Sequence, residues 1–151
     1  MSNISVKIKK INENAILPDY QTAGAAGMDV HACIEKPIIL KPMERQLIPS
    51  GIAIELPIGY EAQIRARSSM GLKFGITLVN GIGTIDSDYR GEIGVTLINL
   101  SQQDFTIEPN MRIAQMIVAR HENVVWKEVD SLDDTKRGSG GFGSTGHGVN
   151  N

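Results

Sequence analysis

The chain has 151 residues, the size of one ordinary domain, and its 41% hydrophobic and 21% charged residues are typical of a globular protein. Its formal net charge of -2 excludes a global attraction to nucleic acid or to an acidic membrane surface, so any anion must bind at a local site. A single cysteine excludes an internal disulfide, and no apolar run reaches the ~20 residues that a membrane helix needs, so we expect a cytoplasmic protein with neither nucleic acid nor membrane as a partner.

The first predicted element lies near the N-terminus, where apolar and polar residues alternate with a period of two. The same alternation returns in two later segments. Each segment is typical of a strand that has one face in a core and one face in water. The apolar positions are Ile4, Val6 and Ile8 in the first segment, Ile52, Ile54 and Leu56 in the second, and Tyr60, Ala62, Ile64 and Ala66 in the third.

Further along the chain, residues 94–100 and 112–119 are apolar at successive positions, which predicts strands covered on both faces. A short helical turn is expected at Ser69–Lys73. Many short strands separated by proline and glycine indicate an all-β fold, a jelly-roll-like sandwich or barrel. Since only 5% of the residues are aromatic, isoleucine, valine, leucine and methionine must fill its core.

The first candidate site lies where the third alternating segment ends, at Arg67, Ser68 and Ser69. One interpretation is an exposed turn or a helix start without a ligand. The other is a phosphate site built from a guanidinium, two hydroxyls and backbone N–H groups. Asp29, after the flexible segment Ala23–Gly27, is a weak signal by itself.

The polar segment from Gly83 to Glu92 concentrates Asp86, Asp88 and Arg90 between two strands. A polar hairpin with internal ion pairs is one interpretation. A calcium loop is excluded, because Arg90 occupies the fifth ligand position and a leucine the twelfth. The remaining hypothesis is that Asp86, beside the apolar Ile85, acts as a general base.

Gln115 interrupts the apolar run at 113–118, where a buried amide needs a partner inside the core, at a subunit interface or on a ligand. The three histidines show no spacing typical of metal ligands, and we interpret them as surface or structural residues.

The composition changes near residue 130, and from Arg137 the chain is rich in glycine. We expect a β domain at 1–136 and a mobile C-terminal arm at 137–151. A flexible linker is the simpler interpretation. However, Arg137 suits a phosphate, Phe142 suits stacking on a base, and the flanking glycines allow close backbone approach, so the arm is also a candidate lid.

Taken together and in this order, five segments resemble the five motifs of the trimeric dUTP diphosphatase (dUTPase) family, over nearly the whole chain. The third contains Gly-x-Ile-Asp-x-Asp-Tyr-Arg-Gly and the fifth Arg-Gly-x-Gly-Gly-Phe-Gly-Ser-Thr-Gly. The matching segments are Ala23–Val30, Ala66–Gly71, Asn80–Val95, Arg112–Val118 and Arg137–Gly146.

The resemblance implies a jelly-roll-like subunit in a homotrimer that hydrolyses dUTP to dUMP and pyrophosphate. This reaction keeps uracil out of DNA and supplies dUMP for thymidylate synthesis. The three active sites are shared between subunits, and the cofactor is Mg²⁺. Asp86 matches the general base that readies water for attack on the α-phosphorus, and Asp29 matches an acid that reaches magnesium through water.

The resemblance also implies a set of substrate contacts. Asn80, Gly83, Thr84 and Ile85 match the hairpin that reads uracil, and Tyr89 matches the ring under the deoxyribose that leaves no room for a 2′-hydroxyl. The expected phosphate contacts are Arg67, Ser68, Ser69, Gln115 and Arg137. The expected contacts of the arm with the nucleotide are Gly141, Phe142 and Gly143.

Three residues depart from the family pattern: Ala66 stands where proline is frequent, Ser69 where glycine is usual, and Asn110 where a turn glycine is common. Asparagine is the residue next best suited to positive φ. The rival interpretations are a dCTP deaminase, whose third motif typically lacks Asp-Tyr-Arg-Gly, and a binding module that uses dUTP as a signal.

Overall fold

The computed structural model describes residues 4–141, which form eleven short strands and one short helix. The strands are β1 (Lys7–Lys10), β2 (Met28–His31), β3 (Ile38–Leu40), β4 (Arg45–Pro49), β5 (Ile52–Glu55), β6 (Tyr60–Arg65), β7 (Ile76–Leu78), β8 (Ile82–Ile85), β9 (Gly94–Asn99), β10 (Phe105–Ile107) and β11 (Arg112–Arg120). The helix α1 (Ser68–Phe74) follows β6. This composition confirms the prediction of an all-β fold.

The strands pair antiparallel in four sheets. The largest has the order β2-β11-β6-β8, a second has the order β4-β9-β7, and β1-β5 and β10-β3 form two-stranded ribbons. The buried hydrophobic side chains between them are all aliphatic or methionine, as the low aromatic content predicted. The largest fully buried ones are Leu40, Ile48, Ile52, Ile64, Ile76, Ile93, Leu97, Ile107 and Ile113.

The period of two predicted β6 correctly, whereas β5 departs from it because Ala53, expected on the face toward water, is also buried. In β5 and β6 the alternate residues Ile52, Ile54, Ala62 and Ile64 are buried. The prediction of a half-buried first strand is wrong, because every residue of β1 is exposed and Ile8 retains 40% of its accessible surface. The reason is that, within residues 4–141, β1 pairs only with β5 and no second layer covers its outer face.

The two segments expected to be covered on both faces differ from that prediction. In β9 one face, with Val95 and Leu97, is buried, and the other face is half-buried. In β11 the buried residues are Ile113, Ala114 and Met116, and the outer positions are again half-buried. Within residues 4–141, β9 and β11 are therefore not covered equally on both faces.

The helical turn expected at 69–73 is confirmed as α1, one residue longer at each end. The helix ends because Gly75 takes the left-handed conformation (φ 67°), and its N–H donates to carbonyls of the last turn. Asn110, predicted to suit a positive φ, has φ 63°.

Beyond β11 the described chain continues to residue 141 without a further strand or helix. The part from 121 to 132 carries apolar side chains that are largely exposed to solvent, and the most exposed are Val125 and Trp126. Surface apolar clusters of this kind are typical of protein contact regions. Elsewhere, too, the described residues include no helix with the length and apolarity that crossing a membrane requires.

Candidate active site

The first group of candidates surrounds Asp29 on β2, at the edge of the largest sheet. Asp29 is a nearly buried carboxylate that is paired with two arginines. Its Oδ1 lies 3.2 Å from Nε of Arg67, and its Oδ2 lies 3.1 Å from Nη1 of Arg112. Arg67 also donates from Nη1 to the backbone oxygen of Arg112 at 3.0 Å. A carboxylate removed from water needs such partners, and here each oxygen has one. We call these three residues together with Gln115 the Asp29 cluster.

Gln115 completes this cluster because its register on β11 places it opposite Asp29 on one side and Arg65 on the other. Its amide Nε2 donates to the backbone oxygen of Ala66 at 3.0 Å, just before Arg67. Its Oε1 packs so closely on Gly27 that an added Cβ there would approach it to 2.5 Å. The amide thus contacts the segments around both Asp29 and Arg67.

Ser68 and Ser69 follow Arg67 as the first residues of α1, with Ser68 exposed and Ser69 half-buried. Arg67 is the N-cap, in an extended conformation, and within residues 4–141 no side chain caps the helix. Ser68 and Ser69 therefore occupy the first turn of the helix, directly after Arg67 in the chain. The structure brings Asp29, Arg67 and Gln115 close together, and Ser68 and Ser69 follow Arg67 directly in the chain.

A second group of candidates lies on β8 and the loop after it. Gly81, with φ 71°, makes the tight turn from Asn80 into β8 that other residues adopt only with strain. Gly83 packs against Ile64, and a Cβ added to it would lie 3.4 Å from Nδ2 of Asn80. The Asn80 amide therefore sits directly over Gly83 and shapes the face of this hairpin.

The loop after β8 opens onto a cavity of about 370 Å³, which we call the Asp86 cavity. The Asp86 side chain is exposed. The walls of the cavity are the end of β8 and apolar residues of β4 and β9, so the carboxylate lies beside an apolar surface. Its lining residues are Leu47, Pro49, Thr84, Ile85, Asp86, Tyr89, Glu92 and Gly94.

Tyr89 is held in place at the rim of this cavity. Its hydroxyl donates to the backbone oxygen of Glu92 at 2.9 Å. The Glu92 carboxylate accepts a hydrogen bond from the N–H of Gly51 at 2.7 Å, which ties the loop to the turn between β4 and β5. Gly91 lies beneath the tyrosine ring without a side chain to displace it.

The Asp29 cluster and the Asp86 cavity lie far apart within one chain. In the β6–β8 pair Ala62 is opposite Ile85, so Asp86 continues opposite Glu61. Glu61 precedes Arg67 by six residues on an extended segment, which corresponds to about 20 Å. Asp86 and Arg67 therefore lie at opposite ends of this pair, whereas Gly83, opposite Ile64, and the turn at Asn80 lie toward the Arg67 end.

The candidates on the arm form a third set. Arg137 is exposed, and its Nε donates to the backbone oxygen of Gly140 at 2.9 Å, inside its own turn. Gly141 is half-buried. Phe142 and Gly143 lie outside the described residues.

Sequence reasoning did not single out two residues that the structure places at these sites. Arg112 begins an apolar strand, where a charged residue is usually only an exposed end. Glu92 was noted as part of a polar turn but not as the group that fixes Tyr89. Both depend on pairings between residues that are more than 40 positions apart, and local patterns carry no signal for these.

His31 lies beside the Asp29 cluster, opposite Arg112 in the β2–β11 register. Burial lowers the pKa of His31, the Asp29 carboxylate opposes this by raising it, and the guanidiniums of Arg112 and Arg67 lower the pKa further. A neutral imidazole leaves the positive charge of the cluster on its two arginines.

Residues 4–141 include no group of three or more acidic, histidine or cysteine side chains that could cage a metal ion.

Comparison with known proteins gives a consistent result. A family model described as dUTPase matches residues 13–146. The deoxyuridine 5′-triphosphate nucleotidohydrolase of Orientia tsutsugamushi strain Boryong is 56% identical over 95% of this chain and 99% of its own length. That of Rickettsia felis is 58% identical over 97% of this chain and 99% of its own.

Solved structures show the same fold at much lower identity. The dUTPase of Staphylococcus bacteriophage 80alpha with dUpNHpp superposes with a TM-score of 0.86 at 23% identity, covering 95% of this chain and 99% of that one. A mutant dUTPase of phage phi11 of S. aureus, whose structure reveals the coordination of a structural Mg(II) ion, gives 0.78 at 19% identity, covering 87% and 100%. The jelly-roll-like fold predicted from the sequence is thereby confirmed.

Proposed function

The chain belongs to the dUTPase family, and we propose that it hydrolyses dUTP to dUMP and pyrophosphate with Asp86 as the general base. The observation that carries this proposal is the Asp86 cavity, in which the exposed Asp86 carboxylate shares a pocket with Tyr89 and the end of β8. Asp86 orients a water and takes its proton as the water attacks the α-phosphorus, and pyrophosphate leaves in line.

The hairpin and the tyrosine determine the choice of nucleotide. Backbone groups from Asn80 to Ile85 pair with the polar edge of uracil, where cytosine would set a donor against a donor. Tyr89 packs under the deoxyribose. Its hydrogen bond to Glu92 supports this role, because a fixed ring excludes a 2′-hydroxyl and a freely moving ring does not.

The Asp29 cluster binds the phosphate chain. Two guanidiniums and one carboxylate leave one excess positive charge, and the hydroxyls of Ser68 and Ser69 and the amide of Gln115 add donors. Fixed donors of this kind stabilise charge that redistributes over phosphate oxygens in the transition state. Asp29 would hold a magnesium ion through water, and the ion would offset part of the charge of the triphosphate.

The separation of about 20 Å between Asp86 and Arg67 supports an active site shared between subunits. A general base works within hydrogen-bond reach of the water it activates, so both residues must meet around the same triphosphate. A homotrimer brings the Asp86 cavity of one subunit to the Asp29 cluster of another. The exposed apolar residues of β1 and of 121–132 also fit coverage by a neighbouring subunit.

The arm from Arg137 onward closes the site. Arg137 is exposed and available for the γ-phosphate, Gly141 and Gly143 allow close backbone approach, and Phe142 stacks on uracil. A cytoplasmic location belongs to the same proposal, and the single cysteine is consistent with a reducing compartment.

The proposal is tested by offering each deoxynucleoside triphosphate with magnesium and measuring the pyrophosphate and ammonia released. We expect pyrophosphate from dUTP alone. Ammonia from dCTP would instead identify a deaminase. Asp86→Asn should lower turnover at least ~100-fold while the affinity for dUpNHpp stays near that of the wild type, because only the proton acceptor is lost.

The matched control is Asp88→Asn, which removes an exposed carboxylate from the same loop and should keep turnover within a few-fold. Near-normal turnover of Asp86→Asn, or an equal loss in both variants, would remove Asp86 from the mechanism.

A further inference from the structure

Arg112 contributes to the positive charge of the Asp29 cluster, and its guanidinium holds one of the two oxygens of Asp29. We propose that Arg112 is a positioning residue that acts through Asp29 to fix the phosphate-binding guanidinium of Arg67. This inference rests on the proposed function, because it specifies how the phosphate side of that site is kept in order.

The local backbone directs Arg112 toward Asp29. The register of the β2–β11 pair shifts between Arg112 and Ala114, and the consecutive residues Ile113 and Ala114 are both buried. A strand with regular alternation would bury only one of them. Such a bulge re-aims the neighbouring side chain, and here it gives Arg112 a position from which Nη1 reaches Oδ2 of Asp29.

The contacts among the three residues form a closed ring. Asp29 forms an ion pair with Arg67 through Oδ1 and accepts a hydrogen bond from Arg112 through Oδ2, and Arg67 donates a hydrogen bond to the backbone oxygen of Arg112. The ring joins β2, β11 and the junction between β6 and α1. With both its Nε and its Nη1 engaged, the Arg67 guanidinium is fixed in plane and presents its remaining N–H donors in one direction.

The three side chains of the ring differ in their exposure to solvent. The side chain of Asp29 retains 11% of its accessible surface, that of Arg67 23% and that of Arg112 46%. The Asp29 carboxylate is thus the most buried member of the ring, and Arg112 contacts it from the solvent side. Without Arg112 the Oδ2 atom loses its partner, so the carboxylate rotates toward water or toward Arg67 and the plane of the Arg67 guanidinium is no longer fixed.

The proposal predicts a loss that is confined to phosphate recognition. Arg112→Met keeps the length of the side chain and removes the guanidinium. It should weaken dUpNHpp binding about 10- to 100-fold, the scale expected when a contacting group is displaced by up to about 1 Å. Deoxyuridine, which has no phosphate, should bind as it does to the wild type. Arg112→Lys, which keeps the charge but not the fork, should recover part of the affinity.

A double-mutant cycle with Asp29→Asn, read by calorimetric titration with dUpNHpp and magnesium, tests whether Arg112 acts through Asp29. If it does, adding Arg112→Met to Asp29→Asn should weaken binding by less than about 3-fold, because the shared contact is already lost. Arg120→Met is the matched control, since Arg120 lies at the other end of β11, over the Tyr60 ring, and its loss should leave dUpNHpp binding unchanged.

Three outcomes would overturn the inference: wild-type affinity of Arg112→Met, a full further loss in the Asp29→Asn background, or a parallel loss of deoxyuridine binding and thermal stability. A full further loss in the Asp29→Asn background would make Arg112 a direct phosphate contact. A parallel loss of deoxyuridine binding and thermal stability would give Arg112 a merely structural role. Failure of the proposed function is seen separately, as wild-type protein that releases no pyrophosphate from dUTP. Wild-type protein that binds no dUpNHpp would overturn both.

Discussion

Gly91 provides a sharp test of the role assigned to Tyr89. A Cβ added at Gly91 would lie 2.3 Å from the tyrosine hydroxyl oxygen and 2.5 Å from Cζ. An ordinary contact begins near 3.4 Å, so the phenol must move by about 1.1 Å in a Gly91→Ala variant. That movement also breaks the hydrogen bond to Glu92, which contributes about 1 kcal/mol.

The displacement should affect catalysis far more than folding. Because the ring is 43% exposed, it can swing into solvent instead of straining the backbone, and replacing glycine stabilises the folded state by reducing the entropy of the unfolded chain. We expect the free energy of unfolding to change by less than about 1 kcal/mol. A misplacement of about 1 Å in a substrate-contacting group costs roughly 100-fold in kcat/KM.

The assay compares kcat/KM for dUTP and UTP by pyrophosphate release, together with urea denaturation. Gly91→Ala should lose activity on dUTP and discriminate less against UTP, since the displaced ring no longer fills the space of a 2′-hydroxyl. The control is Gly24→Ala, where an added Cβ meets nothing within 4 Å. Unchanged kcat/KM and unchanged discrimination in Gly91→Ala would refute the assignment of Tyr89.

The remaining predictions concern two groups away from this loop. Asn99 is fully buried, and its side chain donates to the backbone oxygens of Leu40 at 2.8 Å and Gln103 at 2.7 Å and accepts from the N–H of Ser101. Asn99→Ala should therefore lower the free energy of unfolding, measured by urea denaturation, by about 3 kcal/mol. A loss below about 1 kcal/mol would contradict this prediction. Burial raises the pKa of the Cys33 thiol, so the neutral thiol favours the folded state up to about pH 8.5, and this contribution is lost as the pH rises through the raised pKa. Urea denaturation should show that the wild type is less stable relative to Cys33→Ala at pH 9.5 than at pH 7.5. An equal stability difference at both pH values would contradict this prediction.

Local pattern was sufficient for much of the fold. The period of two located β5 and β6, and the αL positions at Gly75 and Asn110 follow from residues suited to positive φ. The pattern failed for β1, because alternation reports that a strand has an apolar face but not whether the same chain covers it. The exposed Ile8 lies on such a face.

The candidate site was predicted in its members but not in its arrangement. Asp29, Arg67 and Gln115, which the sequence named as separate candidates, lie together, and the guanidinium that completes their ring, Arg112, depends on a bulge that has no signature in the sequence. The separation of about 20 Å between Asp86 and Arg67 likewise follows from strand register and not from spacing along the chain.

The exposed segment after β11 has one practical consequence. Trp126 is the sole indole of the chain, and 89% of its surface faces solvent in a single chain. Its fluorescence therefore comes from one known place. Burial against another molecule would shift that emission to shorter wavelength, so the protein carries its own optical reporter of what covers residues 121–132.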